Sequence, residues 1–134
     1  MLNVLLPVHQ LVGWLILAVG TLSFLLGGAW LLMRRGAAPD ANDSLRRAFR
    51  YGLIGTTALG GLQALLGVGL VVAGGQPGNG LHYVYGGLVL LLIPIAWVYS
   101  DQNQVRRDAI IMVIAAVLVV GAGARALMTG PLAH

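Results

Sequence analysis

The stretch "GLHYVYGGLVLLLIPIAWVY", from Gly80 to Tyr99, decides the fold class. About 20 consecutive apolar residues are what a helix needs to cross a bilayer. Three further segments have the same character, and the four predicted spans are 9–33, 51–74, 81–99 and 109–128. Of the 134 residues 58% are hydrophobic and only 9% charged, which is too apolar for a soluble domain. Because no segment alternates as a strand does, we predict an all-α membrane protein. It is a single domain, 1–134, folded as an up-down bundle of four transmembrane helices.

The arginines predict the orientation of this bundle. All eight basic residues are arginines, and seven of them lie in the segments 34–50 and 100–108, whereas the connection "GGQPGNG" has no charge. By the positive-inside rule these two segments are cytoplasmic loops, so both termini lie outside. We expect a multi-pass protein of the prokaryotic inner (plasma) membrane, in contact with lipid. Since the arginines flank spans and have no interleaved aromatic residues, nucleic-acid binding is not expected.

Two histidines occur in a repeated context. The segments "PVHQLVGWLIL", at 7–17, and "GLHYVYGGLVL", at 80–90, share a histidine, a glycine four residues later and then an aliphatic run. The spacing of 73 residues equals about one helical hairpin plus its loop. The repeat therefore predicts that the chain consists of two repeated helical hairpins. Parallel repeats place the first and third helices on opposite sides of the bundle centre, where their histidines can face each other.

The His-x-x-x-Gly spacing suits a haem. Positions i and i+4 share one helix face, so Gly13 lies below His9 and Gly86 lies below His82. A missing side chain there gives a flat macrocycle room to approach, while the imidazole binds the iron. We therefore predict one haem b with His9 and His82 as axial ligands, and with Gly13 and Gly86 beside the porphyrin.

Two further polar residues are candidates for contact with the cofactor. Arg125 is the only basic residue near the outer end of a helix, where it either binds the haem propionates or merely extends to the membrane surface. Gln63, near the middle of the second span, needs a polar partner. An interhelical hydrogen bond is the favoured interpretation of Gln63.

Other features favour a bundle without a cofactor. A single histidine at a membrane interface usually makes only hydrogen bonds, and the 20 glycines suit close helix packing with or without a haem. The helix lengths also differ: His9 to Arg34 spans about 37 Å, and His82 to Asp101 only about 28 Å. The two ligands share one height only if the first helix tilts more or continues beyond the inner surface.

The segment "LQALLGVGLVVAGG", followed by a loop and "GLHYVYGGLVLLL", resembles one half of the haem A synthase family. Full-length members of that family look like two fused four-helix bundles, each with a pair of histidines at the outer side. The resemblance implies that His82 is a haem ligand and His9 its partner. In the family, however, the histidines are commonly on the second and fourth helices of a half. The family's oxidation of a haem methyl group is associated with a glutamate one turn before a histidine, and this chain contains no glutamate.

Three functions follow as hypotheses. The preferred one is an electron-transfer cytochrome or haem-carrying subunit of a larger respiratory or photosynthetic complex, with other membrane subunits or a second copy as partners. A quinone or a redox protein would then exchange electrons with it. The alternatives are a compact dimeric haem-modifying enzyme similar to haem A synthase, and a cofactor-free structural subunit of a membrane complex.

Overall fold

The computed structural model describes residues 2–34, 43–100 and 103–130, and within these ranges the chain forms four helices. They are α1 (Leu2–Met33), α2 (Ser44–Val72), α3 (Leu81–Val98) and α4 (Val105–Thr129). Each is long and apolar enough to cross a membrane. The predicted fold class, a four-helix membrane bundle, is confirmed.

Contacts between the helices show the up-down topology. The start of α1 lies beside the end of α4, since Gly13 approaches Leu127, and the start of α3 also lies there, since His82 contacts Ala126. α1 packs against α2 and α4, and α3 packs chiefly against α4. Adjacent helices therefore run antiparallel, while α1 and α3 run in the same direction across the bundle.

Three glycines spaced by seven residues face α4 along α1. A Cβ atom at Gly13, Gly20 or Gly27 would lie 3.0, 3.1 or 2.6 Å from an α4 side chain. The α4 residues opposite them have the same spacing in reverse order: Leu127, Val120 and Val113. The absence of side chains at these positions allows the first and last helices to pack closely along most of their length.

The core lies between the helices at mid-height. Its largest fully buried side chains come from every helix. They are Phe49, Ile16, Leu53, Ile93, Val119, Thr56 and Ser23. Many large apolar side chains on the outer faces are exposed, as expected of helices that contact lipid.

Three helix starts differ from the predicted spans. α1 begins at Leu2 and not at 9, α2 at Ser44 and not at 51, and α4 at Val105 and not at 109. The residues added to α2 and α4, 44–50 and 105–108, carry five arginines and continue each helix beyond its apolar run, whereas the residues added to α1, 2–8, are apolar apart from Asn3 and extend the same apolar run. At α2 the cause is local, because the Asp43 carboxylate caps the helix by accepting from the N–H groups of Leu45 (3.1 Å) and Arg46 (3.3 Å).

These longer helices also correct the predicted inner loops. Residues 44–50 and 105–108 are helical, so Arg46, Arg47 and Arg50 lie on the first two turns of α2, and Arg106 and Arg107 on the first turn of α4. Residues 35–42 and 101–102 of those loops lie outside the described residues.

A glycine turn ends α2 at the end of the bundle that carries His9 and His82. We name this the outer end, and the opposite end the inner end, after the predicted orientation. Gly74 has φ of +87°, the left-handed region that favours glycine. Its N–H donates to the Val71 carbonyl (3.0 Å), and the Gly75 N–H donates to the Leu70 carbonyl (2.8 Å). This Schellman-type end reverses the chain towards α3 and towards His82, the second residue of that helix.

Candidate functional site

The structure brings the two repeated histidines together. The ring centroids of His9, on α1, and His82, on α3, are 5.9 Å apart, with 53° between the ring planes. Metal–imidazole bonds are about 2 Å long, so two imidazoles on opposite sides of one ion have ring centres about 6 Å apart. The separation therefore suits a pair of axial ligands. The two histidines lie close together although α1 is longer than α3.

His82 is oriented by the end of α4. Its Nδ1–H donates to the Ala126 carbonyl oxygen at 3.0 Å. Because a carbonyl only accepts, Nδ1 carries a proton, and in the neutral imidazole Nε2 then has the lone pair. Gly130 makes room for the ring, since a Cβ there would lie 3.1 Å from the His82 Cε1. Metal-binding histidines usually donate their second N–H to a carbonyl in this way, so His82 has the tautomer of an Nε2 ligand.

His9 has a different environment, on α2. The Gln63 amide nitrogen donates to the His9 Nε2 at 3.2 Å, and Gly67 lies beside the ring, where a Cβ would be 3.5 Å from Cε1. The His9 Nδ1 and the Gln63 Oε1 are buried and have no hydrogen-bond partner within the described chain. Rotating the Gln63 amide by 180° exchanges its oxygen and nitrogen and still leaves two atoms without partners. Each such atom costs about 1–3 kcal/mol.

The two predicted porphyrin glycines lie in different surroundings. Among the described residues, no atom outside its own stretch of helix lies within 4 Å of a Cβ built on Gly86. A Cβ on Gly13 would lie 3.0 Å from the Leu127 Cδ2 and 3.4 Å from the Gln63 Nε2. The space is thus open beside α3 and filled beside α1. Both contacts at Gly13 are made by the ends of flexible side chains.

Arg125 lies at the same end of the bundle, one residue before the carbonyl that binds His82. Its guanidinium carbon is 5.9 Å from the centroid of the Tyr85 ring, a cation–π contact between α4 and α3. The side chain is exposed. Its predicted role towards haem propionates stays a prediction.

Within residues 2–34, 43–100 and 103–130, no three acidic, histidine or cysteine side chains come together as a metal site. A haem iron needs only two axial ligands from the protein, because the porphyrin supplies the other four nitrogens. Two histidines are thus a sufficient number of protein ligands for a haem iron.

The opposite end of the bundle holds a buried carboxylate, Asp108, at the start of α4. It is 3% exposed and accepts from the Ser100 hydroxyl and from Arg50 (3.3 Å), with Arg46 at 3.8 Å. These contacts join the inner ends of α2, α3 and α4.

A second carboxylate, Asp43, joins the inner ends of α1 and α2. The Trp30 indole N–H donates to Asp43, and Arg34 Nε lies 3.2 Å from the same oxygen. Burial alone would raise the pKa of Asp43. The hydrogen bonds from Trp30, Arg46 and Leu45, together with the charge of Arg34, outweigh burial and lower the pKa below its ordinary value.

Several of these contacts were not predicted. The carbonyl of Ala126 belongs to the backbone, so no residue type signals it. The contact of Leu127 with Gly13 has a signal, the spacing of seven shared by the α1 glycines and their α4 partners. The contacts of the inner carboxylates also have a sequence signal, because Asp43 and Asp108 are acidic residues in the two segments that contain seven of the eight arginines. His134 lies outside the described residues.

Comparison of the chain with protein-family models, with curated proteins and with solved structures finds no match. The resemblance to the haem A synthase family thus stays a prediction, based on the segments quoted above.

Proposed function

We propose that this chain binds one haem b between His9 and His82 and carries electrons near the outer face of a prokaryotic inner membrane. The observation that carries the proposal is the 5.9 Å separation of the two imidazole centroids. The two histidines are 73 residues apart in the sequence and lie on different helices. The tautomer of His82 supports it, because Nε2 keeps the lone pair that an iron requires.

The remaining residues have separate roles in this proposal. The Ala126 carbonyl keeps the His82 ring in orientation, and Gly86 leaves room for the porphyrin on the α3 side. On the α1 side, the ends of Gln63 and Leu127 must turn away from Gly13 and from the His9 Nε2. A haem held by His9 and His82 would supply one-electron chemistry, between ferric and ferrous iron.

Electron transfer is favoured over haem modification by the position of the carboxylates. Oxidation at carbon needs a group that handles protons near the iron. The chain has no glutamate, and the two aspartates that the structure describes, Asp43 and Asp108, are ion-paired at the opposite end of the bundle. We expect no haem A when the chain is co-expressed with a haem O synthase in a host lacking haem A synthase.

A cofactor-free structural subunit is the second candidate. It is favoured by a specific observation: Gln63 already occupies the His9 Nε2, and Leu127 fills the space at Gly13. In this case His9, His82 and Gln63 only join helices by hydrogen bonds, and the partners are other subunits of a membrane complex.

A reduced-minus-oxidised absorption spectrum of the purified chain, expressed with ample haem, separates the two candidates. The haem proposal predicts a low-spin b-type spectrum whose ferrous form resists carbon monoxide, because both axial positions are occupied. His9→Ala and His82→Ala should each abolish that spectrum, while His134→Ala serves as the matched control and should leave it unchanged. A wild-type protein without haem, or histidine variants with a wild-type spectrum, would establish the structural subunit instead.

The orientation in the membrane has its own test, because the chain contains no cysteine. We expect an impermeant thiol reagent to label Asn79→Cys in intact cells, and Ser44→Cys only after the cells are opened. The reverse pattern would place the histidines on the cytoplasmic side.

A further inference from the structure

A groove runs beside the first two turns of α4, at the inner end of the bundle. Its volume is about 550 Å³, and it is open to the surroundings. Its wall combines apolar side chains, Val105, Ile110 and Ile111, with the side chains of Arg106 and Arg107. Both arginines are exposed.

The order of these residues matches the membrane. Arg106 and Arg107 precede Ile110 and Ile111 by four residues each, so each isoleucine lies on the face of its arginine, about 6 Å farther along the helix. Because α4 runs from the inner end into the bundle, the charges lie at the membrane surface and the isoleucines lie deeper. The groove thus has a cationic head and an apolar continuation.

The arginines of this groove differ from the other arginines at the same end in their ion pairs with the described residues. Three other arginines of the inner end, Arg34, Arg46 and Arg50, lie within 4 Å of a buried aspartate. Within the described parts of the chain, no carboxylate lies that close to Arg106 or Arg107.

We propose that this groove binds an anionic phospholipid. The phosphate lies against Arg106 and Arg107, and an acyl chain runs along Ile110 and Ile111. A zwitterionic lipid carries a cationic group next to its phosphate, which the two arginines repel. A free phosphate ion meets the arginines alone and gains nothing from the apolar wall. The proposal concerns the end opposite the histidines and does not depend on a haem.

Native mass spectrometry of the full chain in detergent, titrated with phosphatidylglycerol, tests this site. We expect the single variants Arg106→Gln and Arg107→Gln each to weaken binding about fivefold. Arg47→Gln is the matched control: Arg47 is also exposed at the inner end, on α2, and lies outside the groove. It should leave the affinity unchanged. Equal weakening by Arg47→Gln would reduce the site to general surface charge and overturn the proposal.

Two further arms identify the ligand. Phosphatidylcholine should bind at least fivefold more weakly than phosphatidylglycerol, and Ile110→Gln should weaken phosphatidylglycerol binding while all five arginines of the inner helix starts remain. Inorganic phosphate should not compete at millimolar concentration. If it displaces the lipid, or if Ile110→Gln has no effect, the groove is a site for small anions and the lipid proposal is wrong.

Discussion

The two ends of the bundle differ in whether their buried polar groups have hydrogen-bond or ion-pair partners. At the inner end, Asp43 and Asp108 are buried and each is held by at least two side chains from other parts of the chain. At the outer end, the His9 Nδ1 and the Gln63 Oε1 are buried without a partner in the described chain. Because a buried polar atom is normally paired, the polar groups at the inner end stabilise the fold, whereas two of those at the outer end do so incompletely.

The largest effect is expected from Asp108→Ala, at the inner end. The change removes the hydrogen-bond acceptor of Ser100 and Arg50 and the ion-pair partner of Arg46, and it should lower the free energy of unfolding by about 3 kcal/mol. This is the low end for a buried ion pair, because the Arg46 and Arg50 side chains are 23% and 36% exposed and can turn to solvent. Denaturant unfolding of the haem-free protein in detergent measures it. A loss below about 1 kcal/mol would remove the distinction between the two ends.

Glycine substitutions compare how rigidly the two ends are packed. A Cβ at Gly27 would lie 2.6 Å from Val113 and 2.7 Å from the Phe49 ring, so Gly27→Ala should cost about 1–3 kcal/mol. Gly13→Ala should cost less than about 1 kcal/mol, because its neighbours are the ends of flexible side chains.

Gly28→Ala is the control for both, since nothing lies within 4 Å of a Cβ there. It should be neutral or stabilise the protein by up to about 1 kcal/mol. If Gly13→Ala costs as much as Gly27→Ala, the outer end is packed as tightly as the inner end.

The lowered pKa of Asp43 predicts a pH dependence that belongs to the inner end. A carboxyl with a lowered folded-state pKa stabilises the fold above its unfolded pKa of about 3.9, and this stabilisation is lost as the pH falls through the folded-state value. Asp43→Asn retains a helix cap and removes the charge. It should cost about 1 kcal/mol at neutral pH and flatten the stability profile between about pH 5 and pH 3. An unchanged profile would show that Asp43 is not the group responsible.

The smallest effect is expected from Gln63→Leu, at the outer end. In the haem-free protein this change removes one unpaired oxygen and one hydrogen bond, so the free energy of unfolding should change by less than about 1 kcal/mol in either direction. A loss of stability as large as that of Asp108→Ala would mean that Gln63 stabilises the fold as much as Asp108 does. The two ends would then not differ in this respect.

Hydropathy was sufficient to predict the number and order of the helices, because the energy of crossing a bilayer depends on long apolar runs. Hydropathy alone did not predict the residues at which α2 and α4 begin. A carboxylate cap such as Asp43 acts through backbone N–H groups, which hydropathy does not measure. At α1 the predicted span began at 9, although the apolar run already starts at Leu2.

For the candidate site, the repeat pointed to His9 and His82 and to the diagonal placement of their helices. It gave no information on what surrounds each ring. Whether Gly13 faces open space or Leu127 depends on the register of α1 against α4, which is set by side-chain packing between segments about 100 residues apart. Such contacts are a property of the assembled bundle and not of either helix alone.

The glycine face of α1 has a consequence for the order of assembly. α1 is synthesised before the α4 residues that fill its glycine positions. α1 can form a hairpin with α2 in the meantime, but its glycine face is covered only when α4 arrives. His9 and His82 belong to different hairpins, so they meet only when the hairpins dock. The histidine site therefore forms after the first hairpin, and a chain stopped after α2 has neither the site nor the helix that covers the α1 glycines.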